Sequence, residues 1–282
     1  MHIDSKRQQT IKQEITYTGT GLHTGNQQIT ITCKPLTANS GIRFKRTDLP
    51  SAPEIEAVVD NIVSTKRSTS LGTDQWQIST VEHLLAALNG LKIDNLLIEI
   101  DAGEVPITDG SSLVFTELLQ KAGIKQQNKK CEIHAIEEAV WAREGDTYLV
   151  ALPGPELKIT YTFVSDHPAV GNQFGEFTID EKTFINQIAP SRTFGFASEI
   201  EALQEEGLAL GGSLDNAVLI GEEEIVNELR FEDEIVRHKI LDIIGDLALI
   251  KPFRGHIIAV RSGHALNRRL AHKIKQQVMH CW

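Results

Sequence analysis

Apolar positions along this chain alternate in some stretches and recur every three to four residues in others. Alternation in "NQQITITCKPL" (residues 26–36) predicts a strand, since neighbouring strand side chains point to opposite faces, and it follows the turn-like "GTGLHTGN". "STVEHLLAALNGL" reads as a helix, with Ser79 as N-cap, Glu82 as its capping-box partner and "NG" as the stop. "NLLIEI" is a strand of buried type, "EVPITDGSS" a loop, and "LVFTELLQKAG" a second helix ended by glycine. The polar run "GIKQQNKK" (123–130) predicts a linker. Beyond it come strands in "YLVALPG" and "LKITYTF", a helical "EKTFINQIA", the helix "RFEDEIVRHKILDIIGDLALI" (230–250), a strand in "HIIAVRSG" and a last helix "HALNRRLAHKIKQQ". Both halves therefore finish as helix, strand, helix. An α+β protein of two similarly built domains is expected, residues 1–124 and 125–282.

The 230–250 helix is apolar on nearly every side, which is the pattern of a buried helix. Yet His238, Asp242 and Asp246 stand at four-residue steps, stacked on one face. An ionised carboxylate taken out of water costs several kcal/mol unless it is paired, hydrogen-bonded or bound to metal. The bland reading is an i, i+4 ion pair on a half-exposed face, and from this helix alone it has the edge. Asp246 weakens it, because a second carboxylate in the stripe repels Asp242 unless cations intervene.

A His and a carboxylate one turn apart suit zinc, which in catalytic sites usually takes three protein ligands and a water. His83 in "TVEHLLAAL" can supply the third ligand, and the adjacent Glu82 is then placed to act as general base. The bland alternatives are a capping glutamate and a hydrogen-bonded core histidine. Ala87 stands four residues past His83, so no HExxH site exists and the other half of the chain must complete the metal. His264 in "RSGHALN" follows a strand and opens a helix; protonated, it would neutralise the spare Asp246 and carry a proton for a leaving amine. His2, His134, His272 and His280 read as solvated, His256 as an edge residue, and His23 as a histidine in better surroundings with no role assigned. Thr193 and Phe194 in "SRTFGF" fall in a turn-like segment, for which a surface turn suffices.

Composition narrows the class without naming a reaction. With 282 residues, 41% hydrophobic and 23% charged, the chain is an ordinary globular protein, and no apolar run approaches the ~18 residues of a membrane span. The polar start lacks a secretory core, so a cytoplasmic location is expected. Three scattered cysteines make neither a disulfide framework nor a thiolate zinc knuckle. The formal charge of -10 disfavours a nucleic-acid binder but permits an anionic small substrate.

Taken in order, "GTGLHTG", "STVEHLLAALNGLKIDNLLIEIDAGEVPITDGSS", "SRTFGF", "GLALGGSLDNAVLI", "LRFEDEIVRHKILDIIGDL" and "SGHALN" resemble the UDP-3-O-acyl-N-acetylglucosamine deacetylases, from about Thr10 to about Ile274. The resemblance implies a zinc-dependent hydrolase of lipid A (lipopolysaccharide) biosynthesis. Its substrate would be UDP-3-O-(3-hydroxyacyl)-N-acetylglucosamine and its products the free amine and acetate. It implies Zn2+ held by His83, His238 and Asp242, with Glu82 as base and His264 as acid, supported by Asp246. Thr193 would contact the carbonyl or tetrahedral oxygen, Phe194 would lie beside the sugar, and Lys239 would hold the nucleotide sugar. The implied fold is two β-α-α-β sandwich domains meeting at the zinc, each with an insert. The second insert, about residues 195–220, would form an apolar passage for the acyl chain, although it does not read as rich in large apolar side chains. The uridine-contacting stretch falls near "FVSDHPAVG" (163–171). A cytoplasmic monomer without membrane insertion or nucleic acid is expected. Two other readings stay open: a zinc amidase for another acylated amine, and a non-enzymatic binding protein whose metal is structural and closed by four side chains.

Overall fold

The computed structural model describes residues 4–279; His2, His280 and Cys281 lie outside the described residues. The first half runs β1 (Asp4–Ile11), β2 (Ile15–Thr20), β3 (Gln28–Pro35), β4 (Ile42–Arg46) and β5 (Glu54–Glu56). Three short strands follow, β6 (Ile62–Ser64), β7 (Ser70–Gly72) and β8 (Gln77–Ile78), then α1 (Glu82–Gly90), β9 (Leu96–Ile100) and α2 (Leu113–Ala122). The second half runs β10 (Ile124–Ala135), β11 (Val140–Glu144), β12 (Thr147–Leu152), β13 (Leu157–Phe163), β14 (Gln173–Thr178) and a single turn, α3 (Glu181–Thr183). Then come β15 (Phe194–Phe196), α4 (Ala197–Glu205), β16 (Val218–Ile220), α5 (Glu234–Leu247), β17 (Phe253–Val260) and α6 (His264–Met279). The class is mixed α+β, and the expected repetition of helix, strand, helix is present as α1-β9-α2 and α5-β17-α6.

One sheet has the order β2-β3-β9-β4-β5; in the other, β17 is central, pairing antiparallel with β12 and parallel with β13, with β11 and β14 outside them. Alternation explains the central strands. Ile29, Ile31 and Cys33 of β3, and Phe253, Gly255, Ile257 and Ala259 of β17, all point inward. Helix α1 meets both α2 and α5, while α5 meets α6, β13 and β14. One apolar core runs through this contact, with Leu84, Leu85 and Leu88 of α1 and Ile240, Leu241 and Ile244 of α5 among its members.

The α1–α5 contact is close enough to need glycine. A Cβ on Gly245 would lie 2.1 Å from the carbonyl oxygen of Glu82, so backbone touches backbone at the residue next to His83. Gly90, at the other end of α1, has its missing Cβ replaced by the Phe184 ring.

Three expectations change and one is refined. The run at 123–130 is not a linker: from Ile124 it belongs to β10, paired antiparallel with β1 and joined to β17 at His134 and Ala135. This two-stranded arm buries little of either face, so no alternating apolar signal marks it. Ser79 does not cap α1: the Val81 position starts the helix without a side-chain cap, Ser79 Oγ donates to the Gly103 carbonyl, and the Glu82 carboxylate is used elsewhere. The helical segment expected at 181–189 is present, as one α turn that widens into a π-helical turn, Phe184–Ile188. Phe194 opens a short parallel strand against Val218 rather than a surface turn.

Gly245→Ala should force the two helices apart. Overpacking of this kind costs about 1–3 kcal/mol, so thermal unfolding should show a lower Tm; an unchanged Tm would mean the helices have slack at this crossing.

Candidate metal centre

Each candidate side chain is placed by a helix end or a helix stripe. The N-terminus of α1 delivers Glu82 and His83, the α5 stripe delivers His238, Asp242 and Asp246, and the N-terminus of α6 delivers His264. Glu82, His83, His238, Asp242 and Asp246 are all buried, so the half-exposed ion pair considered for His238 and Asp242 is ruled out. His238 Nε2 lies 3.4 Å and His83 Nε2 3.9 Å from the same Asp242 oxygen, Oδ1. Among the described residues, His83, His238 and Asp242 form a group able to hold a metal ion, with ligand atoms within 4.8 Å of one another.

The protonation states fit a cation. Desolvation pushes the His83 imidazole down to about 3, and burial likewise lowers His238, so both rings are neutral. His238 Nδ1–H donates to the Ser191 carbonyl (3.1 Å), which turns the Nε2 lone pair toward Asp242. Burial alone would raise the Asp242 carboxyl; the Lys239 ammonium outweighs it and holds it far below the usual range. Lys239 Nζ takes Oδ2 of that carboxylate at 2.6 Å, leaving Oδ1 to face the imidazoles. Acceptors converging without a shared proton repel one another, and a divalent cation between them removes the repulsion.

Beside this triad is a second cluster. Asp246 accepts hydrogen bonds from His264 Nδ1 (2.8 Å), Asn267 Nδ2 (2.8 Å) and the Thr69 hydroxyl (2.5 Å). Burial pulls the His264 imidazole down, but the Asp246 charge and hydrogen bond outweigh it and carry the ring to about 9. The partner expected for Asp246 is thus the one found. Desolvation raises the Glu82 carboxyl to about 7 against the opposing pull of His264, and Glu82 Oε2 accepts the Thr69 backbone N–H at 3.0 Å.

Thr69 ties both carboxylates to one residue, and nothing in "KRSTSLG" marks it. Asn267 was legible in principle, since its i, i+3 spacing from His264 puts both on one face. A buried pair, Arg192–Glu234 (2.9 Å, the same distance as from the Arg192 backbone N–H to this carboxylate), fixes the segment that presents the Ser191 carbonyl and Thr193.

Thr193 and Phe194 line a cavity of about 430 Å³, and the Phe194 ring stands 6.3 Å from His238 and 5.6 Å from Phe163. Its walls carry Leu22, Phe196, Ile200, Leu203, Leu208 and Leu219, so the region that read as poor in large apolar side chains is apolar once folded. Helix α4, which contributes Ile200 and Leu203, has no buried residue. Exposed pairs Arg67–Glu199 (3.0 Å) and Lys66–Glu206 (2.7 Å) tether it to the first half.

The family model described as UDP-3-O-acyl N-acetylglycosamine deacetylase matches residues 8–276. Among similar curated proteins, all named UDP-3-O-acyl-N-acetylglucosamine deacetylase, that of Geobacter sp. (strain M21) is 45% identical over 266 residues, covering 93% of this chain and 87% of the relative. That of Syntrophotalea carbinolica is 44% identical over 278 residues (98% and 89%), and that of Chlamydia abortus 44% over 273 residues (95% and 97%).

Asp246→Asn removes the charge that holds the His264 proton. The ring's pKa should fall from about 9 toward the ordinary ~6.5, read by NMR titration of the imidazole; a value that stays near 9 would mean another group sustains it.

Proposed function

Because the chain belongs to the UDP-3-O-acyl N-acetylglycosamine deacetylase family, we propose that it hydrolyses the acetamide of UDP-3-O-(3-hydroxyacyl)-N-acetylglucosamine. The products are acetate and UDP-3-O-(3-hydroxyacyl)-glucosamine, at the committed step of lipid A biosynthesis. The observation that carries the reading is the convergence of His83, His238 and Asp242 on one point, with a buried carboxylate at Glu82 beside them.

As a zinc metalloamidase, the enzyme would hold the ion with those three side chains. The ion would supply Lewis-acid activation of a water and of the amide carbonyl. Glu82 takes the proton of the water as it attacks the carbonyl carbon. The Thr193 hydroxyl and the His264 imidazolium stabilise the oxygen of the tetrahedral species, where charge placed in advance contributes most. His264, its proton held by Asp246, or Glu82 protonates the departing amine. Lys239 orients Asp242 and meets the nucleotide sugar, and Phe194 bounds the sugar. The apolar cavity beyond Thr193 takes the acyl chain.

The layout supports this division of labour. Residues 1–124 and 125–282 act as two sandwich domains with the metal at their interface, and the insert at about 195–220 shapes the cavity. No helix among the described residues is long and apolar enough to cross a membrane; the enzyme works as a cytoplasmic monomer. A structural metal would take four protein ligands, whereas among the described residues three converge here beside a general base, which favours catalysis.

Paired variants test the assignments. Glu82→Ala should bind one equivalent of zinc while kcat for acetate release falls by about 10²- to 10⁴-fold, and His238→Ala should lose zinc by atomic spectroscopy. Full turnover in the first, or full zinc content in the second, would overturn the role. The pH profile should be a bell. Activity rises as Glu82 loses its proton, at or below about 7 because a bound cation favours the carboxylate, and falls as His264 loses its proton near 9. A flat rate between pH 5 and 10 would contradict this.

A further inference from the structure

Glu104 lies in the loop after β9, is fully buried, and takes no part in the chemistry described above. Its carboxylate accepts from the His23 backbone N–H (2.8 Å), the Thr24 backbone N–H (2.8 Å), the Thr24 hydroxyl (2.8 Å) and the Thr80 hydroxyl (3.3 Å). All four partners are donors, so both carboxylate oxygens are committed, and bonds of this charged kind are the strong ones. Gly21 makes the fit possible, since a Cβ there would lie 2.3 Å from Glu104 Oε2.

The loop so held is a wall of the apolar cavity, through Leu22 and His23. Its far side is stitched to the insert: Gly211 N–H donates to the Leu22 carbonyl (2.9 Å) and Ala209 N–H to His23 Nδ1 (3.2 Å). Thr80, two residues ahead of Glu82, is β-branched yet sits at φ 58°, a conformation that persists only where neighbours enforce it. One carboxylate thus joins the approach to the metal helix with the wall of the cavity.

We propose that Glu104 is a positioning residue for alkyl-chain recognition: it fixes the Leu22–Thr24 wall, and through Gly211 and Ala209 the facing insert, in register with the metal centre. The inference rests on reading the cavity as the acyl site. Glu104→Gln preserves size but turns an NH2 group against donors that need an acceptor, which displaces the wall without touching the reacting atoms.

The test compares the full-length zinc-loaded protein and the variant on two substrates, one with a long 3-O-hydroxyacyl chain and one with a 3-O-acetyl group. Glu104→Gln should raise KM for the long-chain substrate about tenfold, change kcat less than about threefold, and leave KM for the 3-O-acetyl substrate and the zinc content at the wild-type level. Thr24→Val, which removes one of the four bonds and keeps the shape, should shift the long-chain KM the same way by less, and carries the test if the first variant fails to fold. Wild-type KM for the long chain in a folded variant, or equal loss on both substrates, would overturn the proposal. A wild-type enzyme with no preference for the long chain would instead remove the acyl reading of the cavity, and the inference with it.

Discussion

The contact of α1 with α5 is made backbone to backbone at Glu82 and Gly245. Neither helix alone holds a metal set: α1 offers one imidazole, and α5 offers an imidazole and a carboxylate one turn apart. Bringing the helices within reach of a missing side chain is what makes His83 and His238 neighbours, their ring centroids 5.0 Å apart. The apolar residues around the crossing exclude water, and that exclusion keeps both imidazoles neutral while raising Glu82. Geometry and protonation therefore have a common origin in how tightly two helices are packed.

Charge balance in this dry region is local and nearly complete. Asp242 is matched by Lys239, Asp246 by His264, and Glu234 by Arg192, the last two pairs with additional hydrogen bonds. Such pairs add little net stability compared with apolar packing, since desolvation offsets the Coulomb gain, but they fix side-chain direction. Glu82 is the exception. Among the described residues it has no cation within hydrogen-bond reach and accepts one hydrogen bond, from the Thr69 backbone N–H, which leaves it free to exchange a proton.

Much of the site was legible because helical periodicity is a strong local signal. The four-residue spacing of His238, Asp242 and Asp246 placed them together, and the cost of burying them demanded partners, which led to His83 and to His264. What escaped notice depends on long-range contact. Thr69 and Glu104 are ordinary polar residues in ordinary loops until the fold buries them against groups far away in sequence. Strand β10 escaped because a ribbon with little buried face shows no alternation, and β15 because three residues paired with a distant strand leave no periodic trace. The cavity's apolar character was hidden for a different reason: Phe196, Ile200, Leu203, Leu208 and Leu219 stand dispersed among polar residues of 195–220, and only the fold turns them, with the distant Leu22, toward one cavity.

Helix α4 stands apart from this tightly determined framework. It shields the cavity with Ile200 and Leu203, yet it is anchored to the first half by ion pairs in water, a class of interaction worth roughly 0–1 kcal/mol and screened by salt. Substitutions along it can therefore accumulate with little penalty to the rest of the fold. Descendants of this scaffold are free to retune which chains they admit by redrawing one outer wall, while the inner machinery stays as it is.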